Sequence, residues 1–236
     1  MASTVLSGRA KAVVSANYLT GVRTGAASAL ATRTLSRPDS SVLAMVGTGV
    51  QAVYQLKSTL AVRPNRRVRA RNPSPGKLRD FGRIVEELGL AFEPQPGPRE
   101  AVAEADVVIT VTPSQRPLVE DGWLRPGTHV SAMGADTKGK QELAAQVVAA
   151  AAVYVDEPAQ AVSIGECQHA FAAGLITLGD LRGTLGEVIA GLRPGRRSDS
   201  EITLFDGTGV ALQDLAVAEL AVRLATERGM GAQVEY

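Results

Sequence analysis

The chain has 236 residues, with 25 lysines and arginines against 24 aspartates and glutamates, so its formal net charge is +1. Hydrophobic residues make up 45% and charged residues 21%, which is typical of a globular protein and excludes disorder for most of the chain. A nearly neutral chain with 1 cysteine and 2 histidines offers no strongly basic face for nucleic acid, no disulfide framework and too few ligands for a structural zinc.

Two further patterns concern the location of the protein. No apolar run reaches the roughly 18–20 residues that a membrane span needs. Residues 1–9 lack the charged segment and long apolar core of a secretory signal. We therefore expect a cytoplasmic protein without a membrane partner.

The first forty residues contain a predicted strand at 10–16 and a helix rich in small residues at 24–35. A lone strand can neither pair its edge nor bury its faces. The first twenty residues are therefore predicted to be the end of another domain.

From residue 41 onward, short apolar strands alternate with helical patterns. Strands are predicted at 41–47, 67–72, 106–113, 128–134, 153–156 and 201–206, and helices at 50–62, 77–88, 140–151 and 210–228. Consecutive apolar positions are typical of strands that are buried on both faces of a parallel sheet. The alternation predicts an α/β fold, a Rossmann-like doubly wound parallel sheet.

The first strand of this series is followed by GTGVQA at residues 47–52, and a helix follows directly. This is the G-x-G-x-x-A pattern of dinucleotide-binding loops. Gly47 permits the tight turn, Gly49 lets the backbone approach a pyrophosphate, and the helix start supplies free N–H groups and a positive dipole end. The motif predicts a bound dinucleotide.

The second strand decides which dinucleotide is expected. An NAD site usually has an acidic residue at the end of this strand to accept the ribose 2′-OH, whereas here the strand ends with Arg71 and Asn72. A guanidinium is well suited to a 2′-phosphate, so NADP is favoured over NAD. The alternative is that Arg71 is a solvated loop residue and that Asn72 alone binds the ribose.

Three later strands end with polar or glycine residues, at Thr112, at Gly134 to Asp136, and at Gly207 and Thr208. Ligands of open α/β sheets bind at the carboxyl ends of strands. Asp136 could there act as a general acid or base, or stabilise an iminium. It could equally cap the helix that is predicted to follow.

Several of these segments together resemble the ornithine cyclodeaminase/mu-crystallin family, from about residue 10 to the end of the chain. The matching segments are residues 20–27 (TGVRTGAA), residues 47–52, Gly134 to Asp136 with Lys140, and residues 203–214 (TLFDGTGVALQD). The resemblance implies NAD(P)-dependent hydride transfer at the α carbon of a small α-amino or α-imino acid, as in ornithine cyclodeaminases, ketimine reductases and amino-acid dehydrogenases.

The resemblance also implies roles for individual residues. Arg23 matches the arginine that binds the substrate carboxylate, and Asp136 matches the catalytic aspartate. Together, the motif and the resemblance assign the cofactor contacts to Thr24, Gly47, Thr48, Gly49, Val50, Gln51, Arg71, Asn72, Thr112, Ser131, Ala132, Met133, Gly134, Lys140, Gly207 and Thr208. No residue is assigned to a metal.

The sequence departs from the family at its beginning. Members carry an N-terminal substrate and dimerisation domain that completes the site and the homodimer, and only its last strand matches here. We expect residues 1–22 to be a remnant of that domain, 23–209 to be the dinucleotide-binding domain, and 210–236 to be a C-terminal helix and tail that pack back toward the remnant. Apolar surface is expected around residues 10–19 and 210–224. The alternative function is a noncatalytic dinucleotide-binding paralogue without the substrate domain.

Overall fold

The structure is a computed structural model that describes residues 2–3, 10–64 and 66–232. The strands, in chain order, are β1 (Ala2–Ser3), β2 (Ala10–Ala12), β3 (Val42–Val46), β4 (Arg67–Arg71), β5 (Ala91–Pro94), β6 (Val107–Thr110), β7 (Gln115–Val119), β8 (His129–Ala132), β9 (Gln141–Leu143), β10 (Ala152–Val155), β11 (Gly183–Thr184) and β12 (Thr203–Asp206). The helices are α1 (Ala16–Leu35), α2 (Val50–Leu60), α3 (Pro75–Glu87), α4 (Pro98–Val102), α5 (Ala145–Ala150), α6 (Pro158–Ala161), α7 (Gln168–Ala172), α8 (Leu185–Ile189) and α9 (Ala211–Glu227), with a short 3₁₀ turn at Leu178–Asp180.

The chain divides into two compact units. The first unit combines Met1–Arg23 with Val210–Tyr236, and the second is Thr24–Gly209. In the first unit, β1 and β2 pair antiparallel. The boundaries expected from the sequence fall after residues 22 and 209. That the first unit is the remnant of another domain stays a prediction.

The second unit is built around a parallel sheet. Within the described residues, eight strands lie in the order β11-β10-β12-β8-β6-β3-β4-β5, and every neighbouring pair is parallel. Strands β4 and β5 follow β3 outward on one side of it. Strands β6, β8, β10, β11 and β12 lie on the other side, so the direction in which strands are added reverses between β3 and β6. The predicted doubly wound α/β fold is confirmed.

The two faces of this sheet carry separate apolar cores. Ala44 and Val46 of β3 pack into one cluster, and Leu43 and Met45 pack into the other. Successive side chains of a strand point to opposite faces, so this division means that both faces are covered. The fully apolar strands of the sequence are explained by this double burial.

Three predicted elements were wrong in type or extent. The helix predicted over 140–151 is interrupted, because residues 141–143 form β9 and the helix α5 begins only at Ala145. The N–H of Gln141 donates to the carbonyl of Ser114 at 2.8 Å, so a pairing with the distant β7 overrides the local helical pattern. The predicted strand at 10–16 is only three residues long, and α1 begins at Ala16 rather than at residue 24.

The first unit exposes large apolar side chains. Val13 is 85% exposed and Leu212 is 73% exposed, and Leu215, Leu220 and Met230 are also at least two-fifths exposed. The expectation of apolar surface near residues 10–19 and 210–224 is confirmed. No helix among the residues that the structure describes is long and apolar enough to cross a membrane.

A buried ionic cluster closes the amino-terminal edge of the sheet. The carboxylate of Asp106 accepts the N–H groups of Ser41 at 2.9 Å and Val42 at 3.0 Å. It also binds Arg37, at 2.5 Å, and Arg125. Burial acts to raise the pKa of Asp106, but these hydrogen bonds and positive charges hold it below the usual value.

His129 of β8 is fully buried between two hydroxyl groups. Its Nδ1 lies 3.0 Å from Oγ1 of Thr203, and its Nε2 lies 3.1 Å from Oγ of Ser131. Burial lowers the pKa of His129 from 6.5 to about 3, and the charges of Arg196 and Arg63 act in the same direction. The imidazole is therefore neutral in the folded chain at neutral pH.

This burial predicts a pH-dependent contribution to stability. The unfolded chain binds a proton at His129 near pH 6.5, whereas the folded chain does so only near pH 3, so the stabilisation is complete above pH 6.5 and is lost as the pH falls toward 3. The difference in unfolding free energy between the wild type and His129→Gln should shrink by up to about 1.4 kcal/mol per pH unit below about pH 6.5. Urea unfolding at several pH values measures it.

A difference between the wild type and His129→Gln that stays constant as the pH falls below 6.5 would contradict this assignment.

Candidate functional site

The carboxyl ends of the central strands lie side by side at one edge of the sheet. Their last residues pair across the ladder, in the order Val155, Asp206, Ala132, Thr110, Val46 and Arg71. The residues that follow these strands therefore share one edge, and that edge includes the point between β3 and β6 where the winding reverses. Ligands of open α/β sheets bind at such a point.

The turn after β3 packs tightly against the end of β6. Gly47 has φ 95°, a conformation that favours glycine. A Cβ on Gly47 would lie 2.6 Å from Cγ2 of Thr112 and 2.7 Å from the carbonyl oxygen of Val111. Both the conformation and the close approach require glycine here, as the motif predicts.

The space around the start of α2 is empty, whereas the turn at Gly47 is tightly packed. Gly49 is the N-cap residue and provides no side-chain hydrogen bond, and a Cβ placed on it would meet no atom within 4 Å. Among the described residues, the buried Oγ1 of Thr48 and Oε1 of Gln51 have no hydrogen-bond partner. Free first-turn N–H groups and the helix dipole attract an anion, and the Thr48 hydroxyl can donate to it, so the start of α2 fits a dinucleotide pyrophosphate.

The end of β4 presents an amide and a guanidinium. Oδ1 of Asn72 accepts the N–H of Ser74 at 2.8 Å, and Nη1 of Arg71 donates to the carbonyl of Asn72. Arg69 instead forms an ion pair with Glu104, in which Nη1 lies 2.8 Å from Oε2. Of these two arginines, Arg71 is the partly exposed one that remains beside the predicted ribose position.

Asp136 lies beyond β8 in an ion pair. Its Oδ1 accepts Nζ of Lys140 at 2.5 Å and the hydroxyl of Thr137 at 3.0 Å. The alternative role of a helix cap is wrong, since the next helix begins only at Ala145. Partial burial acts to raise the pKa of Asp136, but Lys140 and Thr137 outweigh it, and the pKa lies below its usual value. Asp136 is thus ionised at neutral pH.

The other predicted contacts on β8 and directly after it are buried. Ser131 and Ala132 are fully buried within the strand, and the Ser131 hydroxyl is engaged with His129. Their side chains are therefore enclosed in the sheet. Met133 and Gly134 follow the strand at the edge, and a Cβ on Gly207 would lie 2.6 Å from Sδ of Met133, so the loops after β8 and β12 touch.

The loop after β12 is held by a residue to which the sequence analysis gave no role. The carboxylate of Asp156 accepts the hydroxyl of Thr208 at 2.7 Å and the N–H of Gly209 at 2.6 Å. Oγ1 of Thr208 also lies 3.0 Å from Oε1 of Gln160. The position of Asp156 at the end of a predicted strand was a signal that could have identified it.

Three fully buried carboxyl groups lie behind this edge. Burial raises the pKa of Glu142 to about 6 and that of Asp206 to about 7. The pKa of Glu166 is raised well above its usual value by burial and by the nearby charge of Glu142. Within the described residues, no group of histidine, cysteine, aspartate and glutamate side chains is arranged to hold a metal ion.

The predicted substrate residue Arg23 belongs to the first unit. Its Nε lies 3.1 Å from Oδ1 of Asp214, and its side chain is 19% exposed. Arg23 is thus mostly buried and is already paired with a carboxylate. Thr24, the first residue of the second unit, is buried in α1.

Known proteins match this chain over most of its length. Residues 1–228 match the sequence profile of the ornithine cyclodeaminase/mu-crystallin family. The chain belongs to this family. It is 48% identical over 229 residues to the iminosuccinate reductase of Paracoccus denitrificans, covering 97% of this chain and 71% of that protein. It is 40% identical over 225 residues to the alanine dehydrogenase of Archaeoglobus fulgidus, covering 95% of this chain and 69% of that protein.

Solved structures of family members share its fold. The iminosuccinate reductase of Paracoccus denitrificans in complex with NAD+ matches with a TM-score of 0.94 and 46% identity, over 99% of this chain and 72% of that one. An archaeal alanine dehydrogenase dimer with bound NAD matches with a TM-score of 0.96 and 39% identity, over the same shares. The pyrroline-2-carboxylate reductase of Thermococcus litoralis, in complex with NADH and L-proline, matches with a TM-score of 0.95 and 31% identity, over 98% of this chain and 72% of that one.

The contrast between the two glycines of the turn generates a prediction. Gly47→Ala should lower the free energy of unfolding by about 1–2 kcal/mol or more, because alanine at positive φ is strained and its Cβ would meet Thr112. Gly49→Ala should change it by less than about 0.5 kcal/mol, because the poorer cap is offset by the reduced freedom of the unfolded chain. Chemical denaturation measures both, and equal losses would contradict the geometry.

Proposed function

We propose that this chain is a nicotinamide-dependent oxidoreductase that transfers hydride at the α carbon of a small α-imino or α-amino acid. The observation that carries the proposal is the open start of α2 at Gly49, which has no side-chain cap. It lies at the same edge of the sheet as the loop that contains Asp136. Relatives named for iminosuccinate, alanine and pyrroline-2-carboxylate support the substrate class, since these compounds share a carboxylate beside the reacting carbon.

The residues of the edge would hold the cofactor. The first-turn N–H groups of α2 would donate to the pyrophosphate, and so would the hydroxyl of Thr48, whose Oγ1 has no hydrogen-bond partner; Oε1 of Gln51 could accept from a hydroxyl group of the cofactor. Asn72 would donate its side-chain amide to a ribose hydroxyl. The bound nicotinamide would supply or accept the hydride, and the chain would position the reacting carbon against it.

Asp136 and Arg23 would act on the substrate. Ionised Asp136 suits stabilisation of a positively charged iminium, or acceptance of a proton from an amine, better than donation of a proton. Lys140 and Thr137 fix the orientation of this carboxylate through their hydrogen bonds. Arg23, with its planar guanidinium, would bind the substrate carboxylate in place of Asp214.

The choice between the two cofactors depends on Arg71. Solved relatives contain NAD+ or NADH. We nevertheless propose that this chain accepts NADPH at least as well as NADH, because β4 ends without a carboxylate and Arg71 is partly exposed there.

Binding of the reduced cofactors tests the site. The wild type should bind NADH and NADPH with dissociation constants below about 1 mM. Gly49→Ala should weaken both by about tenfold or more, because its methyl group occupies the space for the pyrophosphate, whereas Arg71→Gln should weaken NADPH alone. Calorimetric titration measures all four constants. Equal affinity of wild type and Gly49→Ala would contradict the placement of the pyrophosphate.

Turnover separates an enzyme from a noncatalytic dinucleotide binder. NADPH or NADH should be oxidised in the presence of iminosuccinate, of a cyclic imino acid, or of pyruvate with ammonia. Asp136→Asn should lower kcat by about 100-fold or more, and Arg23→Gln should mainly raise KM for the imino acid. Arg33→Gln, an exposed position on the same helix as Arg23, is the control. Cofactor binding without oxidation of any of these substrates would favour the noncatalytic alternative.

We also propose that the chain self-associates through the first unit, because that unit exposes Val13, Leu212 and Met230 and a relative was solved as a dimer. The mean mass from sedimentation equilibrium should rise with concentration, and Leu212→Ser should weaken the association. A monomer at every concentration would contradict it.

A further inference from the structure

The fully buried Glu142 lies directly behind the candidate cofactor edge. It is 0% exposed, and it belongs to β9 rather than to a strand of the main sheet. A carboxylate in such a position needs several hydrogen-bond donors, since burial of a charge without them is very costly. The identity of those donors indicates what the residue does.

The carboxylate of Glu142 joins the ends of two neighbouring strands. Its Oε1 accepts the N–H of Thr112, just beyond β6, at 2.7 Å. Its Oε2 accepts the hydroxyl of Thr110 at 2.7 Å and the N–H of Gly134, just beyond β8, at 2.9 Å. Thr112 and Gly134 are both predicted cofactor contacts, and Asp136 follows two residues later.

Glycine at position 134 makes this contact possible. A Cβ there would lie 2.5 Å from Cδ of Glu142 and would also meet the carbonyl oxygen of Thr112. The close approach of the carboxylate therefore requires Gly134 independently of any ligand.

Glu142 is itself held in place by a second buried carboxyl group. Oε1 of Glu166 accepts the N–H of Glu142 at 2.9 Å and the N–H of Leu143 at 2.6 Å. The segment that carries Glu166 is fixed in turn by Asp206, whose Oδ2 accepts the N–H of Cys167 at 3.0 Å. Backbone and side chain of Glu142 are thus both restrained, so its oxygens have a defined position.

We propose that Glu142 is a positioning residue that fixes the ends of β6 and β8 and thereby sets the geometry of Thr112, Gly134 and Asp136 at the cofactor edge. This inference rests on the proposed function, because the edge is assigned there to a nicotinamide cofactor. Glu142 touches none of the reacting groups and acts through the backbone that it holds.

A carboxylate is required for this role because three donors converge on its two oxygens. Glutamine has nearly the same shape but only one accepting oxygen, so at least one of the three donors would face an NH₂ group. Glu142→Gln therefore perturbs the strand ends with little change in volume.

The matched control is Asp106→Asn. Asp106 directly precedes β6 and accepts the N–H groups of Ser41 and Val42, so it is a mostly buried carboxylate that joins backbone at the opposite end of the same strand. Both variants remove one accepting oxygen from a buried carboxylate, and only Glu142 faces the cofactor edge.

Amide hydrogen exchange, measured without ligand, tests the contact itself. Glu142→Gln should speed exchange at Thr112 and Gly134 by about tenfold or more, and Asp106→Asn should speed it at Ser41 and Val42 instead. Unchanged exchange at both Thr112 and Gly134 in Glu142→Gln would overturn the proposal.

Steady-state kinetics tests the consequence for the cofactor. A general loss of stability reduces the folded fraction and hence kcat, without changing KM. Glu142→Gln should instead raise KM for NADH by about tenfold, while Asp106→Asn should leave it within about twofold of the wild type. Equal KM values in the two variants would overturn the proposal.

Two further outcomes remain informative. If Glu142→Gln does not fold, Thr110→Val removes only one of the three hydrogen bonds and should raise KM for NADH about threefold; an unchanged KM in that variant would overturn the proposal. If the wild type binds no NADH, the proposed function fails, and with it the role toward the cofactor. Amide hydrogen exchange at Thr112 and Gly134 would still show whether Glu142 joins the ends of β6 and β8.

Discussion

The level termination of the parallel strands is the constraint on which the rest of the second unit depends. In a parallel ladder, strands that end together leave a row of backbone N–H and carbonyl groups without ladder partners at one edge. Carboxylates satisfy many of these donors here, as Glu142 does for Thr112 and Gly134, and as Asp156 does for Gly209. Among the described residues, the first turn of α2 has no such side-chain cap, and an anionic ligand can bind there.

The two edges of the sheet use charge in opposite ways. At the amino-terminal edge, arginines close the structure: Arg37 and Arg125 bind Asp106, and Arg196 donates to the carbonyl of Leu35 at 2.7 Å. At the carboxyl edge, burial raises the pKa values of the enclosed Glu142 and Asp206, whereas the pKa of the more exposed Asp136 lies below its usual value. The closed edge supports stability, and the acidic, open edge suits a cofactor and a cationic intermediate.

The sequence was sufficient for the features that depend on local pattern. Fully apolar strands predicted double burial, and the glycines at 47 and 49 predicted a tight turn and an open helix start. The role of Glu142 could not be predicted, because the run from Lys140 to Ala151 has a helical pattern and only the distant β7 makes Gln141–Leu143 a strand. A carboxylate on a presumed helix gave no reason to expect contacts with Gly134 or with Thr112, which lies 30 residues earlier in the sequence. Side-chain contacts across strands depend on register, which local pattern does not specify.

The carboxyl edge of this sheet, and no other surface, is proposed to bind the dinucleotide. A crystal structure of the chain grown with NADH tests this most directly. The account predicts a pyrophosphate within hydrogen-bond distance, about 2.7–3.2 Å, of the N–H groups at the start of α2, with the nicotinamide ring on the side of Thr112 and Asp136. A dinucleotide bound elsewhere, or one whose pyrophosphate makes no contact with residues 49–51, would contradict it.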